Sequence, residues 1–105
     1  MNISLAEFTS KEGITPQKIS PYEFAWKIDD IKPILQWLSA NNKVVVGGDV
    51  LDITLEYTYD NWYYNVDDTC SLFENVKNSI EKANEYISNY LAINGSNYYI
   101  VLVYN

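Results

Sequence analysis

Histidine and arginine are absent from this sequence, and cysteine occurs once, at Cys70. Each absence removes a class of chemistry. Without an imidazole, neither a Ser-His-Asp nor a Cys-His nucleophile can be assembled within the chain. One thiolate and no imidazole leave carboxylates as the only other ligands, which does not suit a zinc centre. No guanidinium is present to fork onto a phosphate or to steady a transferring phosphoryl group. A single cysteine forms no internal disulfide, so a reducing compartment, the cytoplasm, is expected. No apolar run approaches the ~20 residues that span a bilayer. The opening residues, Met1 to Gly13, lack the basic start and apolar stretch of a secretory signal. Repeats, linkers and low-complexity segments are also missing.

What is present is one domain's worth of chain, residues 1–105, with 48% apolar composition. That is enough to build a single core without covalent staples. Seven lysines face fourteen acids, for a net charge of −7. Such a surface repels nucleic-acid backbones and anionic lipids, so neither nucleic acid nor membrane is an expected partner. A basic protein is the electrostatic complement. The charge is unevenly placed. No base lies between Lys43 and Lys77, an interval holding Asp49, Asp52, Glu56, Asp60, Asp67, Asp68 and Glu74. The remainder of the chain is balanced, so residues 44–76 carry the whole excess. Tyr57, Tyr59, Trp62, Tyr63 and Tyr64 fall in the same interval. Rings supply anchoring area at low entropic cost, and carboxylates supply steering and register. The interval reads either as a surface that docks a basic protein or as a solvated acidic face with its rings partly in the core.

Periodicity predicts alternating strands and helices. Leu5 and Phe8 fit a short helix, ended by Gly13 and Pro16. Ser20-Pro21-Tyr22-Glu23 has the form of a capping box, but Tyr22, Phe24 and Trp26 alternate with polar or small residues, which favours a strand over 22–28. A helix then runs to about residue 40, capped by Asp29 or Asp30, with Pro33 in its first turn. Its stripe is Ile31, Ile34, Leu35 and Leu38. Lys43 to Val46 reads as a buried strand, and Ile53, Leu55 and Tyr57 as a half-buried one. Asp60-Asn61 reads as the turn into a return strand at Trp62 to Val66. Ser71-x-x-Glu74 is a capping box opening an amphipathic helix of about five turns. Its apolar face is Leu72, Phe73, Val76, Ile80, Ala83, Ile87, Tyr90 and Leu91, with Asn75 on the polar side. Asn94-Gly95 stops it, and Tyr98 to Tyr104 is a final strand. The expected class is α/β or α+β: a small mixed sheet of four to five strands with two main helices on it.

Candidate chemistry is thin. Gly47-Gly48-Asp49 permits a bulge, a positive φ or a close backbone approach. As a phosphate cradle it lacks the following Lys-Ser/Thr, and its surroundings are anionic. The aspartates match no cation-binding loop spacing. Cys70 precedes a helix start, where a thiolate is favoured, but it has no histidine partner and reads as structural.

In combination, GGDVLD at 47–52, EYTYDNWYYNVDD at 56–68 and NEYISNYLAINGSNYYIVLVY at 84–104 resemble a family of bacterial immunity proteins from polymorphic toxin and contact-dependent inhibition systems. The likeness runs from about Phe24 to the C-terminus. It implies a compact α/β antitoxin without enzymatic activity or cofactor. Such a protein acts in the cytoplasm of the toxin producer, as a monomer or homodimer, and binds a cognate toxin domain. A basic toxin is expected, with nucleases among the candidates. Charge and aromatic content place the partner-binding residues at Asp49, Asp52, Glu56, Asp60, Trp62, Tyr63, Tyr64, Asp67 and Asp68. The alternative function is an acidic interaction or regulatory module with no toxin partner.

Overall fold

The computed structural model describes residues 3–105. The chain runs α1 (Leu5–Lys11), β1 (Gln17–Ser20), β2 (Glu23–Lys27), α2 (Ile31–Ala40), β3 (Val45–Asp52), β4 (Tyr57–Tyr63), α3 (Leu72–Asn94) and β5 (Tyr98–Tyr104). A 3₁₀ turn over Ile28–Asp30 leads into α2. The five strands form one sheet in the order β1-β2-β5-β3-β4. The α+β class and strand number are as expected. The pairing, however, is antiparallel at every neighbour rather than mixed. The reason is that β5 returns from α3 to lie between β2 and β3, opposed to both.

Local chemistry sets the element ends. Ser4 Oγ accepts from the Glu7 amide to open α1. Ser71 and Glu74 form the predicted reciprocal box at the start of α3. Gly95 ends it at φ 85° and ψ −172°, a positive-φ conformation that glycine reaches because it has no Cβ. Asn42, after α2, also has a positive φ, 57°.

The helices lie on one side of the sheet. Ile31, Ile34, Leu35 and Leu38 of α2 pack with Ala83 and Ile87 of α3 against Trp26, Val50, Trp62, Ile100 and Leu102. Leu72 and Phe73, expected in the stripe of α3, are exposed instead; the buried side at the start of that helix is formed by Asn75 and Val76. Asn75, expected on the polar side, is buried. It accepts from the Tyr64 hydroxyl (2.7 Å) and the Asp67 amide (2.9 Å), and donates to the Asp67 carbonyl (3.0 Å). A satisfied buried amide of this kind ties the loop after β4 to α3. Ser79 works likewise, accepting from the Val45 amide at 3.0 Å and donating to the Val76 carbonyl at 2.9 Å.

Three sequence expectations shift. β1 has no counterpart among the expected strands, because four residues with one apolar member, Ile19, carry no period-two signal. β3 runs unbroken through both glycines, and the hairpin turn lies at residues 53–56, where a strand is expected. Asp60-Asn61 is not a turn but part of β4. Between Asp49↔Asn61 and Leu51↔Tyr57 the pairing shifts, and the extra β4 residues form a bulge with Tyr59 at φ 70°.

Candidate functional site

The β3–β4 hairpin carries most of the predicted residues, and strand alternation divides them between two faces. Trp62 pairs with Gly48 and points toward the helices. Its ring lies over the glycine: a Cβ at Gly48 would stand 2.5 Å from Trp62 Cζ3 and 2.8 Å from the Val101 carbonyl oxygen. Close approach is therefore what Gly48 provides. Gly47 has a similar cause, since a Cβ there would stand 2.5 Å from the Trp62 carbonyl oxygen. The indole continues into a row of rings under the sheet. It stacks on Tyr86 at 4.9 Å between centroids, Tyr86 on Tyr90 at 6.1 Å, and Tyr98 meets Tyr90 edge-on at 5.2 Å. Trp62 is 4% exposed, so this predicted contact residue belongs to the core and presents no surface to a partner.

Several of the other predicted residues hold local structure. Asp52 Oδ1 accepts from the Thr54 amide at 2.8 Å and the Glu56 amide at 3.2 Å, closing the hairpin turn. Asp67 Oδ1 accepts from the Thr69 amide at 2.9 Å. The threonine contacts in each turn, with the Glu56 amide at Asp52, hold both carboxyls below the usual carboxylate value. Tyr64 is tied to Asn75 as described, and Asp60 accepts from the Tyr90 hydroxyl at 2.9 Å. Glu56, Tyr63 and Asp68 are exposed, and Asp49 is half-buried. Cys70 is half-buried; desolvation, followed by Asp67 and Glu74, pushes its thiol up rather than down.

The other face of the sheet has no helix over it. Direct pairing fixes its rows: Ala25, Val101, Asp49 and Asn61 in one, Lys27, Tyr99, Leu51 and Tyr57 in the next. In a third, Val103, Gly47 and Tyr63 align, so no side chain stands between Val103 and Tyr63. A small apolar centre of Ala25, Leu51 and Val101, flanked by Ile19, Leu55 and Tyr99, holds this side together. Around it Tyr63 is 68% exposed, Val103 49% and Tyr57 41%. The Tyr57 hydroxyl donates to Glu23 Oε2 at 3.4 Å. Desolvation, reinforced by Glu23, pushes the Asp49 carboxyl above the usual carboxylate value. Burial, then Glu23 and Asp49, pushes the Tyr57 phenol up. Glu23 thus joins the hairpin's residues in space although it lies outside the acidic interval. No spacing signal links residue 23 to residues 49 and 57, because the neighbourhood is made by sheet order. No group of three or more acidic or cysteine side chains among the described residues is placed to hold a metal ion. No helix among them is long and apolar enough to cross a membrane.

A family model described as Immunity protein 40 matches residues 15–104, nearly the full length of the chain. The chain belongs to the Immunity protein 40 family. No curated protein and no solved structure matches it. The matched span takes in all five strands, α2 and α3, and leaves out α1. For this Immunity protein 40 member, the family assigns an immunity role.

One prediction concerns the ring row beneath the hairpin. Burial first, and then the hydrogen bond donated to Asp60, pushes the Tyr90 phenol from 10.0 up to about 12. The folded state therefore keeps a proton that the unfolded chain releases. Stability carried by this group is complete below pH 10, where both states are protonated, and is lost as pH rises through about 12. Ultraviolet titration is expected to show a tyrosine ionising near that upper value. Asp60→Asn is expected to bring it down, since the carboxylate opposes the phenolate. A titration unchanged by Asp60→Asn contradicts the coupling.

Proposed function

We propose that this Immunity protein 40 member neutralises a cognate toxin domain by binding it as a folded, non-catalytic partner. It acts in the bacterial cytoplasm of the toxin's producer, without cofactor. The family match over residues 15–104 carries this reading. The net charge of −7, with its excess in one third of the chain, complements a basic toxin. Nucleases are candidates because domains that act on nucleic acid need positive surfaces. Exposed Tyr57, Tyr59 and Tyr63 supply ring area for a desolvated contact, and half-buried Asp49 supplies charge beside it. The test is calorimetry with the purified C-terminal domain of the toxin-gene product encoded beside this chain. Saturable binding tighter than micromolar is expected, together with rescue of growth on co-expression. No heat of binding at micromolar concentration and no rescue overturn the reading.

A further inference from the structure

We infer that the toxin is met by the helix-free face of the sheet, where Glu23, Asp49 and Tyr57 receive a positively charged side chain and Tyr63 and Val103 receive apolar surface beside it. This rests on the immunity reading above and replaces a contiguous 49–68 surface with one assembled from β2, β5, β3 and β4. Geometry is the first support. Glu23 enters from β2, Asp49 from β3 and Tyr57 from β4, and the Tyr57 hydroxyl bridges to Glu23 at 3.4 Å. The helix layer covers the opposite side, so this is the broad sheet surface left for a partner.

Charge complementarity selects the occupant. Two carboxylates share a partly desolvated surface, and both influences on Asp49, its burial and Glu23, disfavour its charge. Lys27 lies on the same face by alternation, at the far end of the row Lys27, Tyr99, Leu51 and Tyr57, separated from Tyr57 by two strands and outside the row of Asp49. The remaining titratable groups on this face are the phenols of Tyr63 and Tyr99. An incoming ammonium or guanidinium relieves the repulsion between the two acids, whereas a phosphate or an acidic peptide aggravates it. The apolar flank is Val103 and Tyr63, both exposed, with only Gly47 between them. A basic side chain next to an aliphatic or aromatic one therefore fits the pattern.

The face can be tested against the rest of the acidic surface. Glu23→Lys and Asp49→Lys are compared with the control reversals Glu56→Lys and Asp68→Lys, all titrated into the same purified toxin domain. Melting temperatures check that each variant is folded; Glu23→Gln and Asp49→Asn serve as milder partners if a reversal is not. Each face variant is expected to weaken binding at least tenfold and to flatten its salt dependence. Each control is expected to stay within about threefold. Wild-type binding that survives both face reversals, or is lost chiefly at Glu56 or Asp68, overturns this inference and leaves the immunity reading standing. Absence of wild-type binding fails that reading itself.

Discussion

Trp62→Ala is expected to lower folding stability by about 3–5 kcal/mol, the range for truncating a buried aromatic. The side chain is 4% exposed and stacks on Tyr86. Its removal leaves a void walled by Gly48, which has no side chain to collapse into the space. For a domain of this size the midpoint of thermal unfolding should drop by more than ~10 °C. Trp62→Phe should cost less than the truncation suggests. The indole Nε1 is buried with no hydrogen-bond partner, so phenylalanine removes an orphaned donor while keeping a ring on Tyr86. Urea melts of both variants measure the difference. A loss below 1 kcal/mol for Trp62→Ala would contradict the placement of this ring in the core, and would return Trp62 to the list of surface contacts.

Gly48→Val is the second large effect, about 3 kcal/mol or more, because overpacking here has nowhere to go. The new Cβ meets the ring of Trp62 on one side and the Val101 carbonyl on the other, 2.8 Å away. The carbonyl belongs to the central strand β5 and cannot move without disturbing pairing on both its edges. Gly48→Ala should cost less, with a clear coupling signature. In a Trp62→Ala background the ring is gone and only the carbonyl contact remains, so the same alanine should cost ~1 kcal/mol less. Additive losses in that double-mutant cycle, followed by denaturant melts, would show that the glycine and the indole are not in the contact described.

Much of the scaffold could be read from the chain because its signals were local. The capping box at Ser71 and Glu74, the stripe Ile31-Ile34-Leu35-Leu38 and the terminal apolar strand all repeat over a few residues. The misread hairpin shows the limit. Ile53, Leu55 and Tyr57 alternate as strand residues do, but Leu55 sits at φ 67° in a turn. The turn is written in Asp52-Ile53-Thr54, whose aspartate accepts from two amides, and the same Asp-x-Thr device recurs at Asp67-Asp68-Thr69. Of the predicted contact residues, Trp62 went inward because its glycine partner makes room for it. Tyr64 is tethered because Asn75 is buried. Neither fact shows in composition. Glu23 entered the candidate site only through sheet order, which brings β2 within two strands of β3 across β5.

The pleat of β3 and β4 has a consequence for how such proteins diversify. Even positions here (Gly48, Val50, Trp62) face the helix layer, and odd ones (Asp49, Asn61, Tyr63) lie on the helix-free face. With the toxin on the face inferred above, a lineage can rewrite its recognition alphabet one letter in two, tracking a changing adversary, while the interleaved letters that spell the scaffold stay as they are.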